Sequence, residues 1–348
     1  MIAYQWTIVN MTELSKIAVL TSGGDAPGMN AAIRAIVIAA THEQIEVIGF
    51  LHGYNGLIEN EEMPLSLKEV NSIIHKGGTI LKSARCANMY SENGLKQAAN
   101  TLLKQRVDAL IVIGGDGSFA GLISLQKYYS GLVMGIPGTI DNDLYGTDFT
   151  IGFTTAINTA ITAVDKIRDT ANAFDRVFVI ELMGRRSGHI TFNVGVACGA
   201  EQVISFENFN PKDQETKLKH LAQEIKVAQK DKHQSYLIVI AENIWPGGAT
   251  ALVDQLKEFQ SIDATACILG HIQRGGSPVA KDRILATKMG VIAVQLLIEG
   301  KSNVMLGEKN NIICEVSLSQ AIKHLKKVSP TLIKAQETIL AFTAQQLE

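Results

Sequence analysis

In residues 137–143 (PGTIDND) a hydroxyl, Thr139, and two carboxylates, Asp141 and Asp143, stand at alternate positions. A carboxylate so placed can receive the proton of an attacking hydroxyl, which is the little covalent help that phosphoryl transfer asks of a protein. The rest of that reaction is positioning and neutralisation of charge, and two other loops have the composition for it. In residues 21–30 (TSGGDAPGMN) the paired Gly23 and Gly24 let backbone approach a phosphate closely, and a helix starting after Pro27 aims its free N–H groups the same way. Residues 114–118 (GGDGS) form a second such loop, with Asp116 as an oxygen ligand suited to Mg2+. Plainer readings stand beside these: Gly and Asp make tight turns after strands, and Asp141 or Asp143 could cap the helix expected after residue 150, although both lie well before it.

Short apolar, β-branched runs place these loops. Residues 17–21 (IAVLT) run into SGGDAPGMN, 109–113 (ALIVI) into GGDGS, and 132–136 (LVMGI) into PGTIDND. Residues 177–182 (VFVIEL) run into MGRRSG, 236–241 (YLIVIA) into EN, and 267–269 (CIL) into GHIQRGG. Runs of this length suit strands buried on both faces, and segments of helical periodicity (30–40, 95–105, 155–169, 213–229) alternate with them. This is the rhythm of a doubly wound parallel sheet, in which ligands bind beyond the carboxyl ends of the strands. Turn formation accounts for any one of these loops as well as ligand binding does, but not for six enriched in the same way.

A chain of 348 residues exceeds one ordinary core and predicts two domains. They are expected at 16–151 with 273–325 and at 152–272 with 326–348, leaving 1–15, which contains a second methionine, Met11, as an N-terminal extension. A hydrophobic share of 46% and a charged share of 19% belong to a globular protein and not to a disordered or fibrous one. The net charge of −2 supplies no general field for nucleic acid or an anionic membrane, so positive charge for a phosphorylated ligand must be gathered locally. Cys86, Cys198, Cys267 and Cys314 are far apart and match no metal or disulfide spacing, so they read as reduced thiols of a cytoplasmic protein. No apolar stretch reaches the roughly 20 residues that span a bilayer, and the N-terminal segment lacks the pattern of a signal peptide.

Taken together, the motifs resemble the bacterial-type 6-phosphofructokinase family. TSGGDAPGMNAAIR, GGT with SAR at 83–85, GGDGS, PGTIDND with GTDFTIGF, MGRRSG and GHIQRGGSP stand in that family's order and spacing from Lys16 to about Glu315. GGDG alone also occurs in lipid and NAD kinases, which have no need of PGTIDND or GHIQRGG. The resemblance implies transfer of the γ-phosphate of Mg·ATP to the 1-hydroxyl of fructose 6-phosphate. It also implies two similar doubly wound, Rossmann-like α/β domains with mainly parallel sheets, and a homotetramer with sites shared between subunits. Carried over by motif, it puts Gly24, Arg85, Cys86, Gly115, Gly117 and Ser118 around ATP and makes Asp116 the Mg2+ ligand. Asp141 becomes the general base, with Thr139 and Asp143 beside it, Arg185 steadying charge, and Gly24 among the catalytic positions. Arg176, Met183, Gly184, Glu242, His271 and Arg274 become sugar-phosphate contacts, Arg176 reaching a neighbouring subunit's site. Arg34, Arg168, Gly199 and Glu201 match positions that bind ADP or phosphoenolpyruvate between subunits.

Departures from the family pattern refine this. Pyrophosphate-using relatives usually carry aspartate at the position of Gly117 and lysine at that of Gly138. An aspartate there repels the nucleotide's α-phosphate, so two glycines, expected to leave open space, indicate ATP as donor. Cys86 and Tyr90 stand where relatives often hold the adenine with an aromatic and an arginine, and Cys86 reads as a small packing residue against the base and not as a reactive thiol. Ile38, Leu67, Asp231 and Ser235 replace basic residues of the effector set, and His233 stands where lysine is common, so weak control by ADP and phosphoenolpyruvate is expected. Thr265 replaces a second arginine that crosses from the neighbouring subunit, and no arginine lies between Arg186 and Arg274. That absence keeps open a same-fold kinase for a tagatose or sedoheptulose phosphate. A metabolite-binding paralogue without catalysis is disfavoured by the presence of Asp116, Thr139, Asp141, Asp143 and Arg185 together.

A charge-assisted hydrogen bond to phosphate contributes roughly 1.5–3 kcal/mol, about one to two powers of ten in affinity. Thr265→Arg should therefore lower KM for fructose 6-phosphate with less effect on KM for ATP, measured alongside oligomer size. An assembled variant with unchanged or raised sugar KM would show that the 6-phosphate does not need a cation at residue 265.

Overall fold

The computed structural model describes residues 13–230, 235–323 and 326–346. Met11, Asp231 and His233 lie outside the described residues, as does most of the expected N-terminal extension. Ser15, at the end of that extension, already belongs to the fold: its amide and hydroxyl both donate to Asp108 Oδ2, each at 2.8 Å.

Twelve strands are present among the described residues: β1 (Lys16–Thr21), β2 (Glu46–Phe50), β3 (Glu62–Pro64), β4 (Ala109–Gly114), β5 (Leu132–Thr139), β6 (Ile151–Gly152), β7 (Val177–Leu182), β8 (Gln202–Ile204), β9 (Tyr236–Ala241), β10 (Ala264–Ile268), β11 (Val304–Lys309) and β12 (Ile312–Ser317). The six apolar runs of the sequence are β1, β4, β5, β7, β9 and β10. The last starts earlier than expected, because its small residues (ATACI) pair one by one with Val177 through Glu181 while Leu269 leaves the sheet. β2, β8 and the β11–β12 pair were not anticipated. β8 is only three residues long, and β12 (IICEVS) has the mixed polarity of an antiparallel edge.

Packing divides the chain into two compact units. The first comprises Met1–Ile140, Leu144–Thr154 and Arg274–Leu325, and the second Asp141–Asp143, Thr155–Gln273 and Lys326–Glu348. The first unit's sheet has the order β12-β11-β5-β4-β1-β2-β3, with β6 joined to β5. From β11 to β2 the strands are parallel, and the two edge pairs are antiparallel. β1 and β4 have no apolar side chain open to solvent, as a sheet covered on both faces requires. One covering layer is the Met29–His42 helix packed on the Ala280–Ile298 helix. A Cβ on Gly290 would come 2.6 Å from Ala35 Cβ, so the two helices meet over small residues. Buried Ile33, Ile36 and Val37 on the first helix each stabilise the unit by about 1.5–3 kcal/mol.

The second unit's sheet is parallel throughout, in the order β10-β7-β9-β8. β9 is fully buried at its centre, whereas Thr265 and Ile268 of the edge strand β10 are exposed. Two helices, Gln214–Lys230 and Gly248–Gln260, cover one face with Leu221, Ile225, Leu252 and Leu256 in the core beside Trp245. Trp245, just beyond β9, is a core residue: it stacks on Phe209 at 5.1 Å and donates to Gln255 at 3.2 Å.

The C-terminal segment closes on the His189–Ala197 helix. Phe192 and Val203 pack with Val328, Leu332 and Ile333, and buried Gln336 donates to the Ala200 carbonyl at 3.1 Å. His189 Nε2 lies 3.1 Å from the Lys326 carbonyl; a carbonyl only accepts, so the imidazole carries its proton on Nε2. Burial pushes the His189 pKa down to about 4, against the opposing pull of that hydrogen bond. Unfolded, the ring titrates near 6.5, so the native state binds fewer protons between those values. The stability is intact above pH 6.5 and is lost as pH falls through the window, by about 2 kcal/mol between pH 7 and pH 5. His189→Gln should flatten the pH dependence of the unfolding free energy by about that amount over this range, and an unaltered slope would contradict the assignment.

Candidate functional site

The first unit brings its glycine loops together where the strand order reverses. β1 leads to β2 on one side and β4 to β5 on the other, so the loops after β1 and β4 leave side by side at the carboxyl edge. The Ser22 amide donates to the Ile113 carbonyl at 3.0 Å, carrying the β1–β4 pairing one residue into the loop. A Cβ on Gly23 would stand 3.5 Å from Ser118 Oγ, and one on Gly114 only 2.5 Å from it. Ser118 is therefore the contact between the two loops. Gly23 also has a φ of +88°, a backbone state that glycine adopts without strain.

Asp116 opens the Asp116–Leu125 helix behind Gly115, and no side chain caps that helix start. The N–H groups of its first turn and the open backbone at Gly117, where an added Cβ meets nothing within 4 Å, make a cradle for an anion. A half-buried carboxylate in such a cradle suits Mg2+, which takes one or two protein carboxylates and the rest of its oxygens from phosphate and water. Among the described residues no group of three His, Cys, Asp or Glu could hold a metal without such help. Thr139, at the end of β5, lies 3.7 Å from where a Gly115 Cβ would be, and its carbonyl accepts from Thr150 Oγ1 at 2.6 Å.

A third segment is tied to these loops. Ser83 Oγ donates to the Gly23 carbonyl, and the Gly23 amide reaches the Ala84 carbonyl at 3.4 Å, so Arg85 and Cys86 follow directly from the glycine loop. Buried Asn30 holds the turn before it, donating to the carbonyls of Lys76 and Gly77 and accepting from the Ile80 amide at 2.8 Å. Cys86 packs against the hydrophobic core, whereas Tyr90 is 87% exposed. Arg274 groups with this unit: its Nη1 donates to the Asp25 carbonyl at 3.2 Å and lies 2.5 Å from where a Gly24 Cβ would be. Gly24 thus leaves room for the guanidinium resting on it.

In the second unit the carboxyl ends of β7, β9 and β10 hold MGR, EN and GHIQ. The Glu242 amide donates to the Leu182 carbonyl at 2.8 Å and the Leu269 amide to the Glu181 carbonyl at 3.1 Å, so the three strands end in register. Glu242 Oε1 accepts from the amides of Gly184 at 3.1 Å and Arg185 at 2.6 Å, and Asn243 Nδ2 donates to the Arg185 carbonyl at 3.2 Å. These bonds hold Arg185 at a φ of +58°, a left-handed state that costs a non-glycine residue about 1 kcal/mol or more. The Met183 amide donates to Oε1 of fully buried Gln273 at 2.9 Å. Asp141 is 6% exposed, and the Asp141 carbonyl accepts from Ser187 Oγ at 2.8 Å. His271 is exposed on the short Gly270–Arg274 helix at the same carboxyl end.

Other candidates stand elsewhere. Arg176 precedes β7 and so occupies the opposite edge of the sheet, with its guanidinium 4.8 Å from the Phe174 ring centre. Thr265, exposed beside Phe178 in register, lies toward that same edge. Arg168, Gly199 and Glu201 come together, but by bonding to each other. Arg168 Nη1 pairs with Glu201 at 2.7 Å, and Nη2 donates to the carbonyls of Cys198 at 3.1 Å and Gly199 at 2.7 Å. Arg34 belongs to the first unit, where its Nε is buried with no hydrogen-bond partner among the described residues. Ser235 is buried against Asn172, while Ile38 and Leu67 are exposed.

Sequence reasoning missed Asn30, Ser187, His189, Asn243 and Gln273. All five lie within or beside the quoted motifs, and the signal was a hydrogen-bonding side chain next to a turn whose backbone has no sheet partner. One expectation is corrected. Gly138 does not leave open space, because a Cβ there would stand 2.8 Å from Ile113 Cγ2 and 3.1 Å from Met29 Cε on the neighbouring strand and helix. Gly117→Asp should consequently weaken ATP use at an unchanged Tm. Gly138→Lys should lower stability by about 1–3 kcal/mol through overpacking, read as a drop in Tm. Equal Tm values for the two variants would contradict this difference.

Comparison with known proteins agrees with the motif order. A family model described as Phosphofructokinase matches residues 16–297. The chain is 45% identical over 327 residues to ATP-dependent 6-phosphofructokinase 1 of Thermus thermophilus, covering 94% of this chain and 99% of that protein. It is 46% identical over 313 residues to the ATP-dependent 6-phosphofructokinase of Clostridioides difficile, covering 90% and 95%. Among solved structures it is similar to phosphofructokinase from Saccharomyces cerevisiae, with a TM-score of 0.79 and 32% identity over 96% of this chain and 48% of that longer one. With the family model spanning most of the chain and relatives this similar across nearly their whole lengths, the protein belongs to the phosphofructokinase family.

Proposed function

We propose that this protein is an ATP-dependent 6-phosphofructokinase that transfers the γ-phosphate of ATP to the 1-hydroxyl of fructose 6-phosphate. The observation that carries the reading is the pairing of a buried Asp141 with an Arg185 turn held by Glu242 and Asn243 in one unit, while the other unit carries a glycine cradle opening on a helix start. ATP is bound by the loops of Gly24, Arg85, Cys86 and Gly115 through Ser118, with backbone N–H groups on its phosphates. Asp116 would hold Mg2+, which when bound neutralises phosphate charge.

Asp141 takes the proton of the sugar hydroxyl as that oxygen attacks, with Thr139 and Asp143 beside it in the chain. Arg185 steadies the charge that builds on the transferred group. Met183, Gly184, Glu242, His271 and Arg274 serve the sugar phosphate. Glu242 also orders the Arg185 turn through its Oε1, so its loss would disturb charge stabilisation as well as sugar binding. Open space at Gly117 supports a nucleotide as donor over pyrophosphate.

The position of Arg176 and Thr265 toward the far edge of their sheet supports a role for both in a neighbouring subunit's site, and so a homotetramer. Arg168 spends its donors inside the unit, which supports weak control by anionic effectors at Arg34, Arg168, Gly199 and Glu201. Among the described residues no helix is long and apolar enough to cross a membrane, and we place the enzyme in the cytoplasm. The hydroxyl of Thr265 in place of a cation favours testing tagatose and sedoheptulose phosphates as alternative acceptors.

A coupled assay with ATP, GTP and pyrophosphate as donors against a panel of sugar phosphates tests the assignment. Fructose 6-phosphate with ATP should give the highest kcat/KM. In the same assay Asp141→Asn should keep both KM values near wild type and lower kcat by about 10²- to 10⁴-fold, the range for loss of a positioned base. Wild-type turnover in this variant would remove Asp141 from that role.

A further inference from the structure

The Asp141–Asp143 loop leaves β5 after Thr139, the last residue paired with β6, and so has no sheet bonds of its own. It carries two carboxylates around Asn142, which sits at a left-handed φ of +51°. Such a segment keeps one geometry only if its backbone is held from outside. Two donors do so within the second unit: Ser187 Oγ to the Asp141 carbonyl at 2.8 Å, and the Lys326 amide to the Asp143 carbonyl at 3.2 Å. Lys326 is held in turn, its carbonyl accepting from His189 Nε2 at 3.1 Å. Ser187 and His189 are both nearly inaccessible, at 6% and 5% exposure.

The segment carrying these two residues is itself anchored. The Gly188 amide between them donates to Glu207 Oε1 at 3.1 Å, and Glu207 Oε2 accepts from Ser205 Oγ at 2.8 Å. A side chain at 188 would collide with Glu207 and Ser205, so the close approach needs glycine. The Ser187 amide also closes the preceding turn on the Gly184 carbonyl at 2.9 Å, and that turn contains Arg185. One residue thus touches the Arg185 turn through its amide and the Asp141 loop through its hydroxyl.

We propose that Ser187 and His189, acting through the Lys326 backbone in the second case, are positioning residues that hold the Asp141–Asp143 loop in its reacting geometry. This rests on the reading of Asp141 as the general base. A misplacement of about 1 Å at a reacting group can cost on the order of 100-fold in rate, so loss of either donor acts on turnover. The ATP loops belong to the other unit and keep their own hydrogen bonds.

The test compares Ser187→Ala, His189→Leu, His189→Gln and Asp141→Asn in the full-length enzyme, with kcat, KM for ATP and Tm measured for each. Ser187→Ala and His189→Leu should lower kcat by about 10- to 100-fold with KM for ATP within about twofold of wild type. His189→Gln, which can still donate to the Lys326 carbonyl, should restore kcat to within about threefold of wild type. Equal kcat losses in His189→Leu and His189→Gln would assign the effect to packing and overturn the role of His189. Wild-type kcat in Ser187→Ala and His189→Leu, with Asp141→Asn inactive, would overturn the strap while leaving the base assignment intact. A fully active Asp141→Asn would instead overturn the base assignment and the strap with it.

Discussion

Parallel pairing is the constraint on which everything else in this protein depends. When β4 pairs with β1 and β5, or β7 with β9 and β10, all the loops that follow these strands must emerge at one edge of their sheet. Parallel strands also require helical crossovers, and the helix that follows a strand points its free N–H groups at that same edge. A phosphate site is then a consequence of topology. Only the residues in the loops remain to be chosen, and the reversal of strand order between β1 and β4 sets where two of those loops lie side by side.

A loop at such an edge lacks the hydrogen bonds of the sheet it leaves. In this chain the shortfall is met by single buried polar side chains, each aimed at a backbone group. Asn30 holds the turn ahead of Arg85, Gln273 holds Met183, and Ser187 holds Asp141, while half-buried Glu242 does the same for the Arg185 turn. Fully buried Asp282 plays the same part for β6, accepting from the Gly152 amide at 3.1 Å. A buried polar group that lost its partner would cost about 1–3 kcal/mol, so each of these contacts specifies one loop geometry more sharply than apolar packing could. The glycines complement them by admitting a neighbour, as Gly24 admits the Arg274 guanidinium and Gly188 admits Glu207.

Membership of the family leaves room for divergence at particular groups. The Arg168–Glu201 pair illustrates how a residue can keep its place in a motif while its hydrogen-bonding capacity is used internally. Here it ties the end of the His189–Ala197 helix to β9, since Glu201 Oε2 also accepts from the Leu237 amide at 2.7 Å. The side chain on edge strand β10 at residue 265 shows the converse, a position kept exposed by the fold but filled with a neutral group. Such changes cost the fold little, because neither site lies in a core.

The apolar runs of β1, β4, β5, β7 and β9, and the helices at 29–42, 92–104, 153–174 and 214–230, were legible because burial on two faces, or on one helical stripe, leaves a periodic trace in a single stretch of chain. So were the glycine loops and the acidic PGTIDND segment, whose chemistry is local. β8, the β11–β12 edge and the true start of β10 were not, being too short, too polar or too small in side chain to leave that trace. The closed environment of Gly138, the exposure of Tyr90, the internal pairing of Arg168, and the roles of Ser187, His189 and Gln273 were decided only by tertiary structure. Each is a relation between residues far apart in the chain, such as Asp143 and Lys326, and composition and spacing carry no information about which distant backbone group a buried donor will meet.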